Sequence, residues 1–196
     1  MRILPFTTGM RKAKQARSSF EMRKYQIIDS EYLYRGRVVT LRIDTLKGED
    51  GKESKREVVE HHGAVAIVPY LNQDTILLIR QYRQAVGEYL LEIPAGTLEN
   101  GEKPQDCAYR ELEEEIGYRA AAMRHMFTQY LAPGYSSEAL HVFLARDLTR
   151  TQTHFDEDED IELFPIRPNE VEPMIMDGRI RDAKSIAALL VAIHLL

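Results

Sequence analysis

The sequence predicts an α/β protein that is not a regular doubly wound one, and three observations carry this. Strand-like and helix-like segments are interleaved along the chain, but hairpin signals crowd its first half. At 196 residues, with 44% apolar and 29% charged residues, the chain can bury one sizeable core with a small unit appended.

The elements follow in order. Residues 1–24 are basic (Arg2, Arg11, Lys12, Lys14, Arg17, Arg23, Lys24) and read as a flexible tail; the apolar start is too short for a signal peptide and is broken by Pro5. Residues 25–59 carry strand-like segments at Tyr25–Ile28, Tyr32–Tyr34, Val38–Thr45 and Arg56–Val59, the last two joined by a turn at Gly48-Glu-Asp-Gly51. From residue 60 a larger domain runs to 196. Its apolar runs Ala64–Pro69 and Thr75–Arg80 flank Asn72-Gln-Asp74 as a second hairpin, and Tyr89–Ile93 leads into a helix. Strands follow at His125–Tyr130, Leu140–Leu144 and Ile161–Pro165. A helix over about 168–176 stops near Gly178, and an apolar one over about 182–195 is too short to cross a bilayer.

The stretch from Gly96 to Tyr118, GTLENGEKPQDCAYRELEEEIGY, carries the chemistry. Pro104 suits the first turn of a helix and Gly117 the left-handed residue that ends one. Between them Glu111, Glu114 and Glu115 stand at i, i+3 and i+4 and share one face, beside an apolar face of Ala108, Leu112 and Ile116. Three glutamates alone would equally describe a solvated acidic face. Clustered oxygen ligands also suit a hard cation, with magnesium the default for a phosphate substrate. Arg110 can pair with Glu114 or brace Glu102 from the preceding loop, an orienting role. Cys107, whose thiolate would be a poor magnesium ligand, reads as a small packed residue.

The same stretch fits G-x5-E-x7-R-E-U-x-E-E-x-G-U, with U a bulky apolar residue; only Tyr118 is loose, where an aliphatic is usual. A chance match in a chain this long is on the order of one in ten million. It resembles the box of the Nudix family, whose members hydrolyse a nucleoside diphosphate linked to another group. The resemblance covers roughly residues 60–196 and implies an α/β/α sandwich with a mixed sheet. Residues 25–59 resemble the small β-rich dimerisation unit of one branch. It further implies two or more Mg2+ ions, with Mn2+ as a substitute, held by Glu111 and Glu115 and completed by Glu114 and the Ala95 carbonyl.

Flanking segments are similar to the ADP-ribose pyrophosphatase subfamily: Arg80-Gln-Tyr-Arg83, Leu91-Glu-Ile-Pro-Ala-Gly96, Tyr130-Leu-Ala-Pro-Gly-Tyr-Ser-Ser-Glu138 and Gly178-Arg-Ile-Arg-Asp-Ala-Lys-Ser185. Pro133 stands 16 residues beyond Gly117, where that subfamily carries a proline. Arg80 and Arg83 would otherwise read as exposed strand-end charges, and Pro133-Gly134 as a turn. The resemblance assigns Arg80, Arg83, Gly96, Pro133 and Glu138 to substrate binding. It also assigns Arg56, reaching the site from a partner subunit. The acidic run Asp156–Asp160, by itself a solvated loop, takes the place of the subfamily's base-bearing loop; Glu157 is the match and Glu159 the runner-up.

The expected reaction is hydrolysis of ADP-ribose to AMP and ribose 5-phosphate by a homodimer. The rivals are another nucleoside diphosphate sugar such as GDP-mannose, or a sensor that binds without cleaving. A net charge of −5 argues against broad nucleic-acid binding, and no apolar stretch is long enough for a membrane span. The single cysteine forbids an intramolecular disulfide and fits a reducing, cytoplasmic setting.

Overall fold

A computed structural model describes residues 24–151 and 161–194. Among these, three strands form a first antiparallel sheet in chain order: β1 (Tyr25–Arg35), β2 (Val39–Gly48) and β3 (Glu53–His61). The β2–β3 turn falls at the expected glycines: the Gly48 amide donates to the Lys52 carbonyl at 2.9 Å, and Gly51 takes φ 75°. Tyr25–Ile28 and Tyr32–Tyr34 are not separate strands but parts of β1. Register shifts between Ile27 and Asp29 and between Tyr32 and Tyr34 break the two-residue alternation, which makes one bulged strand read as two.

The second sheet has seven strands: β4 (Ala64–Asn72), β5 (Thr75–Arg83), β6 (Glu88–Glu92), β7 (Ala95–Thr97), β8 (Tyr118–Tyr130), β9 (Ala139–Arg150) and β10 (Ile161–Ile166). The order β10-β5-β4-β9-β8 forms its body, with β6 paired to β5 and β7 to β4. Only β4 and β9 run parallel, so the sheet is mixed. Its centre is β4, buried from Ala64 to Tyr70, a strand covered on both faces and therefore apolar at nearly every position. The three-residue β7 has no counterpart in the expected elements. The strand expected from His125 begins at Tyr118; a register shift between His125 and Phe127 and the alanines at 120–122 obscure its first half.

Helices cover both faces, as a three-layer sandwich requires. On one side α1 (Pro104–Ile116) packs Cys107, Ala108, Leu112 and Ile116 against Val65, Ile67, Leu77, Ile79 and Phe143. On the other, α2 (Val171–Met176), entered through a 3-10 turn at Pro168–Glu170, and α3 (Ala183–His194) bury Val171, Met174, Ala188 and Leu189. These pack against Ala66, Val68, Leu78 and Val142. Successive β4 residues thus feed two cores, one per face. Gly178, at φ 80°, turns the chain between α2 and α3. No described helix is long and apolar enough to cross a membrane.

Between the two sheets, the Val59 amide donates to the Tyr135 carbonyl at 2.8 Å and the Ser137 amide to the Val59 carbonyl at 3.0 Å. The Ser137 hydroxyl accepts from the His61 amide at 3.0 Å. The loop after β8 is therefore latched to β3.

Candidate active site

Helix α1 starts and stops where its sequence says. Pro104 occupies the first turn, and Gly117 at φ 68° donates its amide to the Glu113 carbonyl at 3.0 Å. With Leu112 and Ile116 locked into the core, Glu111 and Glu115 fall where the helix meets the sheet, only 9% and 3% exposed. They face β7 and the residues leading into it. The Glu115 Oε2 accepts the Ala95 amide at 2.9 Å, and a side chain at Gly96 would put its Cβ 1.9 Å from the Glu111 carboxyl carbon. A side chain at 96 would displace the Glu111 carboxylate, which occupies that volume.

Arg110 ties this arrangement together. Its guanidinium donates to Glu102 through Nε and Nη2, both at 3.0 Å, to Glu111 at 2.7 Å and to Glu114 at 2.9 Å. Nη2 also reaches the Thr97 carbonyl at 3.4 Å. Pairing with Glu114 and bracing of Glu102 thus occur together. The Arg110 hydrogen bonds, opposed by burial and helped by the Glu99 amide, lower the Glu102 carboxyl to about 2. Arg110 is pushed further up, first by Glu102. Burial drives the Cys107 thiol far above its ordinary range, consistent with a packed residue.

The other predicted residues are distributed around this centre. Arg83 and Arg80 stand three apart on a regularly paired strand and so point to opposite faces. Arg83 forks onto Glu92, with Nε to Oε1 at 2.9 Å and Nη2 to Oε2 at 2.8 Å. Arg80 lies over the Tyr89 ring, 4.7 Å from its centroid, and pairs with Glu162 at 3.3 Å. Arg56 is exposed on β3, its guanidinium bonded to the Lys55 carbonyl. Pro133 is exposed in a turn closed by the Ser136 amide on the Ala132 carbonyl at 2.8 Å, and partly buried Glu138 follows it. Glu157 and Glu159 lie outside the described residues.

Residue-by-residue reading gave no role to Glu92, Asp182, Lys184 or Ser185, which the structure assembles beside Arg83. Glu92 is buried and also meets Lys184; Lys184 reaches Asp182 at 3.0 Å. The Ser185 hydroxyl accepts the Ile93 amide at 2.9 Å and donates to Asp182 at 2.5 Å. The available signal was a glutamate inside the apolar run Leu90-Leu-Glu-Ile93 and a lysine entering an apolar helix.

The donor set fits a hard divalent cation. One guanidinium contacts three carboxylates, and two further oxygen donors sit on buried Glu115 beside the Ala95–Gly96 backbone. Among the described residues no three acidic, imidazole or thiol groups form a ready-made cage; Glu114, turned to Arg110, would have to swing inward.

The lowered Glu102 carboxyl sets a pH dependence. A carboxylate depressed by folding contributes stability above its unfolded value and loses it as pH falls through the folded one. The melting temperature of Glu102→Gln should therefore lie below wild type by a constant margin above about pH 5. That margin should close towards about pH 2. Thermal melts over this range check it; a margin that opens only in acid would contradict the pairing.

Comparison with known proteins agrees with the geometry. The family model of the NUDIX domain matches residues 60–189. The chain is 38% identical to the methanol dehydrogenase activator of Bacillus methanolicus over 164 residues, 83% of this chain and 89% of that one. Over the same length and coverage it is 36% identical to the ADP-ribose pyrophosphatase of Bacillus subtilis. A crystal structure of an ADP compounds hydrolase superposes with a TM-score of 0.79 at 27% identity, covering 88% of this chain and 94% of that one. With the domain match spanning more than half its length and the box residues assembled at one site, the chain belongs to the Nudix family of hydrolases.

Proposed function

We propose that the protein hydrolyses the diphosphate of ADP-ribose to AMP and ribose 5-phosphate. The observation that carries this reading is the seating of the Glu111 and Glu115 carboxylates against the Ala95–Gly96 backbone. The likeness to an ADP-ribose pyrophosphatase and to an ADP compounds hydrolase supports the choice of substrate.

In this reading Glu111 and Glu115 hold divalent ions, Mg2+ by preference and Mn2+ as a substitute, with Glu114 and the Ala95 carbonyl completing the set. When bound, the ions supply charge neutralisation of the diphosphate and polarise the scissile bond and the attacking water. Arg110 holds Glu111 and Glu114 and limits the mutual repulsion of the carboxylates before the ions arrive. Arg83 grips the diphosphate, for which a planar guanidinium is better shaped than a lysine. The Pro133 turn, latched to β3, sets Glu138 at the pocket wall; Gly96 acts on the substrate through the Glu111 carboxylate it lets in, and Arg80, on the other face of β5, would reach substrate only from the strand's edge. Glu157, with Glu159 as runner-up, accepts the proton of the attacking water.

Full-length enzyme incubated with magnesium and a nucleotide panel, with products identified, tests the assignment. ADP-ribose should be the preferred substrate. Glu115→Gln should lower turnover roughly a thousandfold. Clear preference for a guanine sugar nucleotide would overturn the substrate, ligand binding without turnover would favour a sensor, and a mutant keeping more than about a tenth of wild-type turnover would sink the role of Glu115.

The working unit in this reading is a cytoplasmic homodimer built through residues 25–59. β1 is a sheet edge exposed along its whole length, and it displays Tyr25, Ile27, Ile28, Tyr32, Leu33 and Tyr34. A three-stranded sheet with so little covered surface gains from a second copy. That arrangement also carries exposed Arg56 towards the partner's site. Sedimentation of the active enzyme at micromolar concentration should give a dimer; an active monomer would contradict it.

A further inference from the structure

Glu92 is 1% exposed yet meets two cations, although one would balance its charge. Both of its oxygens are taken by the Arg83 fork, and Oε2 is shared with Lys184. The two cations differ in their surroundings. The Arg83 side chain is 38% exposed and the Lys184 side chain 11%. Asp182, the remaining acid of the cluster, caps α3: its Oδ2 accepts the Ser185 amide at 2.9 Å, so its charge rests on the helix N-terminus. Lys184 pairs with Asp182 at 3.0 Å as well as with Glu92, and so bridges the two carboxylates.

We propose that Lys184 is a positioning residue that frees Arg83, by keeping the buried Glu92 carboxylate paired while the Arg83 guanidinium swings onto the substrate diphosphate. The inference rests on the reading of Arg83 as the substrate's arginine. A buried ion pair resists loss of one partner because the other charge is left unpaired. With Lys184 present, Arg83 can depart and Glu92 still holds a cation. Without it, every substrate molecule would have to pull Arg83 away from a charge that nothing else balances. Glu92 lies three residues before Ala95, whose amide the Glu115 carboxylate accepts at 2.9 Å.

A simple tether predicts something different. If Lys184 only fastened α3 to the sheet, its loss would lower stability without selecting substrate binding. Steady-state kinetics of the full chain with magnesium and ADP-ribose separate the two, with melting temperatures recorded alongside. Lys184→Met should raise KM about tenfold or more while kcat stays within about threefold, and Lys184→Arg should restore most of the loss. Lys184→Gln, which keeps a hydrogen bond to Glu92 but no charge, should show the same KM rise and serves if the methionine variant folds poorly.

The sharpest arm is the double variant Glu92→Gln/Lys184→Met. Once the carboxylate is neutral, Arg83 is not held by a buried charge, so KM should return towards the wild-type value. A lowered melting temperature with unchanged KM in both neutral Lys184 variants would overturn the proposal. So would a further KM rise in the double variant. An Arg83→Ala enzyme with wild-type KM would remove the substrate role of Arg83 itself, and the proposal with it; if Arg83→Ala raises KM and neither neutral Lys184 variant does, only the proposal falls.

Discussion

The arrangement depends on one guanidinium. Glu111, Glu114 and Glu115 share a helix face where like charges repel, and Glu111 and Glu115 are also buried, which raises the cost of ionisation. Arg110 makes the cluster tolerable by donating to Glu111 and Glu114 from the same helix and to Glu102 from the preceding loop. A lysine would offer a point charge; the planar fork of an arginine serves several carboxylates in fixed directions. The loop from Gly96 to Glu102 is thus tied to the helix that follows it, and the carboxylates that Arg110 contacts are held in place.

The second constraint is steric, and it links the helix to the sheet. Glu111 fills the volume a side chain at 96 would take, while Glu115 accepts the Ala95 amide. Ala95 and Gly96 lie on β7, and the segment before it is held from the opposite layer, where the Ser185 hydroxyl accepts the Ile93 amide and Lys184 meets Glu92. Helices on both sides of the sheet therefore fix the same short run, Glu92 to Gly96. The layered fold positions the site by clamping the β6–β7 junction from two sides.

Legibility in the sequence followed the range of the interaction. Helix α1, its ends at Pro104 and Gly117 and its acidic face could be read because helical spacing is local. The two hairpins could be read because turn residues announce themselves. The bulged β1 and β8 could not be delimited, because a bulge erases the alternation that marks a strand. Nor could the Glu92–Lys184 pair, whose members lie 92 residues apart and meet only once the sheet and α3 are assembled. Arg80 and Arg83 looked like a matched pair in one short segment, but strand geometry sends them to opposite faces. The flanking segments were informative as wholes: three of the four, around Arg83, Glu92 and Lys184, meet at one ion cluster.

The central claim is that the site is built before any ion binds, by a carboxylate fitted into space that only glycine leaves. Magnesium-dependent ADP-ribose hydrolysis by Gly96→Ala, measured beside its melting temperature, tests this most directly. The added methyl meets the far end of a side chain, which can swing away, so the fold should survive with a melting temperature within a few degrees of wild type, of the order expected for about 1 kcal/mol. With Glu111 displaced, turnover should drop at least about a hundredfold. A variant that hydrolyses ADP-ribose within about threefold of wild type would contradict the account, because Glu111 could then work from elsewhere.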